Sequence, residues 1–415
     1  MLFIKDLKQI ITSYGTKPKA GSEQEKIKVF KGYSIFIKDE KIKAVGKKDK
    51  IFKKFPEVKK AKELDGKNLV AFPGFIDPHT HLVFAGQRRE EFSLKIKGVP
   101  YMEIAKKGGG ILSTLKATRK ISFDKLYDES FDKLKKAISF GITAIEIKSG
   151  YGLNLKDELK QLKAIKKLKE NSKIDVVSTL MCAHENPPEF KNNRNGYIDL
   201  ILNKIIPIVS KEKLATFCDV FCEKGVFTER EAILILNKAK SFGLKLKIHA
   251  DEFAESGGAK VAGLLKCTSA EHLAFASEEG IRQMGKNKTV AVLLPGVQFF
   301  LKSKKIPPIS LFKKYNVPIA LGSDFNPGSS PTINLQLIAK LGVFLLGLLP
   351  AEALNAVTIN SACAIDLGQK KGTIEVGKDG DLALFEMENW LDFFYWFGDN
   401  KLKYTISKGK ILWKA

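Results

Sequence analysis

The stretch PGFIDPHTHLVFAG, residues 73–86, sets two of the chain's five histidines one residue apart, at His79 and His81. Lysine is the default cation here, with 70 Lys and Arg against 46 Asp and Glu in 415 residues, so the pair calls for imidazole rather than charge. Side chains on an extended segment alternate with period two, which puts both rings on one side. The apolar run ahead of them reads as a strand over 69–76. Seven more such runs follow, at 142–148, 174–182, 217–223, 244–249, 268–273, 289–294 and 317–323. Helix-patterned segments separate most of them; the clearest is 156–170, where Leu159, Leu162, Ile165 and Leu168 recur at helical spacing. Eight strands alternating with helices predict an α/β fold, a (β/α)8 TIM-like barrel.

Both chain ends read differently. YSIFIKDEKIKAVG (33–46) alternates as two short strands around a turn at Lys38–Lys41, and GTIEVGKDGDLALF (372–385) and KYTISKGKILW (403–413) look similar. They predict a small β-sandwich domain built from both ends, residues 1–68 and 369–415, around a barrel spanning 69–368. The second crossover carries KKGGGILSTLKATR (106–119), which reads as an active-site loop.

In a barrel of this kind, functional residues gather where the strands' carboxyl ends meet. All five histidines fall there: His79 and His81 after the first strand, His184 after the third, His249 ending the fifth and His272 ending the sixth. Asp324 follows the eighth, in IALGSDFNPGSS (319–330). Two imidazoles from H-x-H, a third from the fifth strand and a carboxylate from the eighth suit one divalent metal ion, Zn²⁺ or Fe²⁺. Strand parity adds that Lys247 points the same way as His249, under the rim, and so needs a buried partner. Glu146, in AIEIKSG, is the candidate.

The net charge of +24 comes from lysines spread along the whole length, with no basic tail and no basic run interleaved with aromatics. This argues against a nucleic-acid partner. The most apolar stretch, 341–349, is bounded by Lys340 and Pro350 and is too short to span a bilayer, so no membrane role is expected. The N-terminal MLFIKDLKQI has no uninterrupted apolar core of signal-peptide length, and the five cysteines are odd in number and irregularly spaced. A reducing cytoplasm is the expected location, and a homodimer the expected assembly.

PGFIDPHTH, the later strand-end histidine and the SD after the eighth strand resemble the amidohydrolase superfamily. HTHLVFAGQR, GGGILSTLKATR, EIKSGYGL, KIHADEF, TVAVLLPG and SDFNPGSSPT more narrowly resemble its imidazolonepropionase family, along essentially the whole chain. The resemblance implies hydrolytic ring opening of a small anionic heterocycle, 4-imidazolone-5-propanoate, to N-formimidoyl-L-glutamate in histidine degradation. On that reading His79, His81, His249 and Asp324 bind the metal. His272 orients the attacking water, Asp324 carries its proton to the leaving nitrogen, and Glu252 grips a ring N–H or shuttles that proton. Arg88 offers a planar fork to the propanoate carboxylate. Tyr101, Tyr151 and His184 match pocket-lining positions of the family, with His184 near the chemistry. Asn326, Gly328 and Ser329 belong to NPGSS, a turn able to aim N–H groups at an anion. One departure is AHENPPE (183–189), where a small or apolar residue is expected in place of Glu185. The rivals are a deaminase or cyclic amidase acting on an uncharged heterocycle, a two-metal variant using a carboxylated Lys224, and a catalytically inert binding protein.

Overall fold

The computed structural model describes residues 1–99, 103 and 109–415. Eight parallel strands form one sheet in chain order: Phe75–Asp77, Ile142–Lys148, Asp175–Ala183, Phe217–Cys222, Lys245–Ala250, Ser269–His272, Val290–Leu293 and Ile319–Leu321. Every strand foreseen from the apolar runs is present, and parallel pairs join each to the next. The helix expected at 156–170 runs Leu155–Asn171 and is capped by Asn154, whose side chain accepts from the Asp157 N–H at 2.8 Å. Leu162, Ile165 and Leu168 are buried against the sheet.

The sheet closes beyond the ends of its first and eighth strands. Thr80 bridges Phe325, the Asp324 N–H donates to the His79 carbonyl at 3.0 Å, and the His81 N–H donates to the Phe325 carbonyl at 3.0 Å. The backbone bonds that seal the barrel are thus made by the residues flanking H-x-H and SD.

Two further sheets sit beside the barrel. One orders Lys41–Gly46, Tyr33–Lys38, Leu2–Leu7 and Lys62–Asp65; the other joins N-terminal strands to Leu382–Glu386, Leu402–Ser407 and Lys410–Lys414 from the far end. The hairpin at 33–46 turns through Asp39 and Glu40, at φ 51° and 64°, as a two-residue turn with both central residues left-handed. In GTIEVGKDGDLALF only the last part is strand; before Leu382 the chain makes an isolated bridge from Asp379 to Lys41.

Two expectations change. The 69–76 run is two strands: Leu69–Pro73 pairs antiparallel with Leu382–Glu386 in the side sheet, and Phe75–Asp77 opens the barrel. Gly74 makes the switch possible because the Thr143 side chain occupies the space a Cβ would need. The segment read as a loop is helical over Ile111–Lys120, started by Gly110 at φ 72°, and the lysines and glycine at 106–108 lie outside the described residues. Among the described residues no helix is long and apolar enough to cross a membrane.

Gly74→Ala is expected to cost about 1–3 kcal/mol of stability by overpacking. Adding Thr143→Ala should return most of it in urea denaturation. No recovery would mean that the switch depends on something other than this contact.

Candidate active site

The metal-ligand candidates meet at the barrel mouth because the seam joins them. His79 Nε2 lies 3.2 Å from Asp324 Oδ1, His81 Nε2 lies 3.5 Å from the same oxygen, and His249 Nε2 lies 3.4 Å from His81 Nε2. Bonds of about 2.05 Å at tetrahedral angles put ligand atoms about 3.3 Å apart, the spacing of these three contacts, and His79, His81 and Asp324 form one compact group. His79 Nε2 is buried with no hydrogen-bond partner. Two imidazole nitrogens at 3.4 Å can share at most one proton, leaving a lone pair directed at the common centre. The donor set fits a divalent metal ion. His79, His249 and His272 form a second group of similar compactness, so His272 stands at the edge of the same centre.

Carboxylates below hold two of the rings in place. His79 Nδ1 is 2.8 Å from Glu271 Oε2, and His249 Nδ1 is 3.1 Å from both oxygens of Asp219. Nδ1–H donation to these acceptors turns Nε2 outward as the metal-binding nitrogen. Burial, then the charge of Lys148 and the neighbouring rings, holds His79 well below the usual histidine range, and burial acts first on His81 and His272 as well. Neutral imidazole is the form that binds metal.

Lys247 is fully buried, as expected, with its Nζ 3.6 Å from Glu146; it also lies 3.4 Å from Glu271 and donates to the Pro78 carbonyl at 3.0 Å. Lys148, equally buried, reaches Glu146 at 2.7 Å and Asp219 at 2.8 Å. Burial opposes its charge, but Asp219, Glu146 and Glu271 together raise its pKa. Sequence reading missed Asp219, Glu271 and this use of Lys148. The signal was there as a charge at inward parity inside TFCDVFC and SAEHL. Lys224 is exposed.

A cavity above the rings is lined by His81, Arg88, Tyr151, His184, Glu252 and Asp324, together with Asn326 and Ser329. His184 stacks on His81, centroids 5.1 Å apart and planes 13° apart, with Nδ1 2.9 Å from the Gly150 carbonyl. Burial, then His249, lowers its pKa to about 3, so the ring is neutral. Glu252 Oε1 is 3.5 Å from His272 Nδ1, and burial, then Asp324 and Glu223, raises its pKa well above the carboxylate range. Glu223, also missed, fixes this loop by accepting the backbone N–H groups of Glu252 (2.8 Å) and Phe253 (2.9 Å). Glu185 turns onto the Asn186 N–H at 2.8 Å. Tyr101 lies outside the described residues.

The NPGSS turn is wired differently from the expected anion cradle. Its Gly328 and Ser329 N–H groups donate to Asn326 Oδ1 at 2.7 and 2.8 Å. Asn326 Nδ2 and Ser329 Oγ instead donate to Asp324 Oδ2, at 2.9 and 3.1 Å. The turn holds Asp324 and leaves its Oδ1 toward the histidines. Arg88 is buried at the cavity wall in a two-pronged pair with Glu91.

With this geometry in place, comparison with known proteins is decisive. The amidohydrolase family model matches residues 70–412. Imidazolonepropionase of Thermoanaerobacter pseudethanolicus is 46% identical over 99% of this chain and 97% of its own length, and that of Streptococcus gordonii is 44% identical over 95% and 93%. The chain belongs to the imidazolonepropionase family of amidohydrolases. Solved amidohydrolase-like structures share the fold at lower identity. Escherichia coli guanine deaminase superposes with a TM-score of 0.75 at 13% identity, all of each chain covered. A zinc-bound adenosine deaminase from Xanthomonas campestris gives 0.69 at 15%, covering 99% of this chain and 92% of its own.

In this amidohydrolase, Glu271→Gln and Asp219→Asn are expected to weaken metal binding by about 10–100-fold each. Competition with a chromogenic chelator measures it. Unchanged affinity in both would mean the carboxylates do not orient the rings.

Proposed function

We propose that this chain opens the cyclic amide of 4-imidazolone-5-propanoate by hydrolysis, with His79, His81, His249 and Asp324 holding one Zn²⁺ or Fe²⁺ ion. The observation that carries it is one cavity joining His81, His249 and Asp324, members of a close-set His/Asp cluster, to a buried arginine. A bound divalent cation supplies Lewis acidity, lowering the pKa of water toward about 7 and polarising the amide carbonyl.

The residues do the rest. Arg88 binds the propanoate and so orients the ring. His184 spends Nδ1–H on the Gly150 carbonyl, which leaves Nε2 to accept a ring N–H. Asp324 is held at Oδ2 by Asn326 Nδ2 and Ser329 Oγ, beside the histidines. It takes the proton of the attacking water as the new C–O bond forms, and returns it to the ring nitrogen as the C–N bond breaks. Glu252, 3.5 Å from His272 Nδ1 and lining the same cavity, is placed to grip a ring N–H or to shuttle that proton. His272, beside it, steers the water. The same reading has the enzyme act in the cytoplasm as a homodimer, which sedimentation of the purified protein tests.

Removing Arg88 should cost about 2–5 kcal/mol, roughly 30-fold to several thousand-fold in kcat/KM, and Arg88→Lys should recover little. With an imidazolone lacking the carboxylate, wild type should be slow and Arg88→Ala hardly slower. An equal loss on both substrates would mean that the tail is read elsewhere. Separately, His249→Ala should lose most of the bound metal by elemental analysis while keeping its circular dichroism. Two tightly held ions per wild-type protomer would overturn the single-metal reading.

A further inference from the structure

Arg88 already holds a carboxylate. Its Nε lies 3.0 and 2.9 Å from the two oxygens of Glu91 and its Nη2 lies 2.8 Å from Oε2, the fork geometry that arginine makes with a free carboxylate. Both side chains are nearly closed off from solvent, at 3% and 10% exposure, so the pair is a desolvated one rather than a surface contact. The pocket walls are fixed around it. Gly328 packs so close to the guanidinium that any side chain there would strike it, and Lys95 donates to the Gly328 carbonyl at 2.6 Å. The Gly110 N–H donates to Glu91 Oε1 at 3.1 Å, tying the start of the Ile111–Lys120 helix to the same carboxylate.

The chemistry of the occupant is informative. A glutamate side chain is CH2–CH2–COO⁻, the same group as the tail of the proposed substrate. We propose that Glu91 is an internal surrogate for that tail, seated on the Arg88 fork and exchanged for the incoming propanoate. The inference rests on the reading of Arg88 as the tail's partner. Exchange solves a physical problem: a buried arginine left without an anion would bear its full desolvation cost, whereas trading one carboxylate for another keeps it paired throughout. It also makes Glu91 a determinant of affinity, because the competent fraction of the fork scales the apparent dissociation constant. Glu91 is therefore a specificity residue that acts through Arg88 and need not touch the reacting amide.

Two other roles for Glu91 make different predictions. If it only positions the guanidinium, removing it weakens tail binding. If it only adds negative charge nearby, Glu91→Asp, which keeps the charge and shortens the arm by one methylene, behaves as wild type. The test uses the metal-loaded enzyme and sodium propanoate as probe, with propanamide as the uncharged control, read by calorimetry and by the shift in Tm. Exchange predicts propanoate binding about 10-fold or more tighter in Glu91→Gln and several-fold tighter in Glu91→Asp. It also predicts a larger propanoate-induced rise in Tm in both variants than in wild type, with no response to propanamide. Weaker binding in either variant, or Glu91→Asp indistinguishable from wild type, overturns the proposal. Arg88→Met separates this from failure of the reading beneath it: propanoate bound equally well by Arg88→Met would show that the tail does not use Arg88 at all.

Discussion

Lys148 and Lys247, both fully buried inside the barrel, set the terms for everything above them. An ammonium there is tolerable only if carboxylates meet it, and Glu146, Asp219 and Glu271 do so at 2.7–3.6 Å. The carboxylates in turn have acceptor capacity left over. Asp219 spends it on His249, and Glu271 on His79. The Nε2 atoms of His79 and His249 are thus aimed by a charge layer two residues deeper than the rim, and the layer's own stability depends on every member being paired. Replacing it with an apolar core could yield a sturdier barrel but would leave the rings free to turn.

The rim has a second constraint, since the barrel's closing hydrogen bonds are made by the backbone of the metal-ligand candidates and their neighbour Phe325. His79 accepts from Asp324, and His81 donates to Phe325. Fixing the seam fixes the distance between the H-x-H pair and the carboxylate, with no long loop between them to relax. Asp324 also adopts a left-handed conformation, φ 49°, as does His272 at φ 68°. Such backbone for residues with a Cβ is sparsely populated and persists where the surroundings over-determine it. Here the NPGSS turn, hydrogen-bonded to the Asp324 carboxylate, does that for Asp324.

Period and composition made much of this legible. The eight strands, the helix at Leu155–Asn171, the convergence of five histidines and the burial of Lys247 all follow from alternation and strand-end position. What stayed hidden was partner choice across the barrel. Asp219 and Glu271 are single letters in apolar runs, and only closure brings them under rings that are 30 and 192 positions away. The switch at Gly74 was hidden for a related reason. Two consecutive strands in different sheets share one apolar run, and what separates them is the bulk of Thr143 on a neighbouring strand. Glu91 was not singled out, because nothing in Arg-x-x-Glu separates a buried pair from an exposed helix pair until burial is known.

The burial of the Arg88–Glu91 pair bears on selectivity. A pocket built to bond a polar group rejects an analogue lacking it most strongly when its own buried partner is then left bare. With Glu91 on the fork, Arg88 is never bare, so a ligand without a carboxylate escapes that penalty and merely forgoes the gain from exchange. Discrimination against uncharged heterocycles must therefore lean on the ring contacts as well. On the proposed reading these come from His184, whose Nε2 is left to accept, and from Glu252 across the same cavity. Recognition divided in this way, two side chains for the ring and an anion exchange for the tail, favours a ligand that satisfies all three over one that satisfies any two.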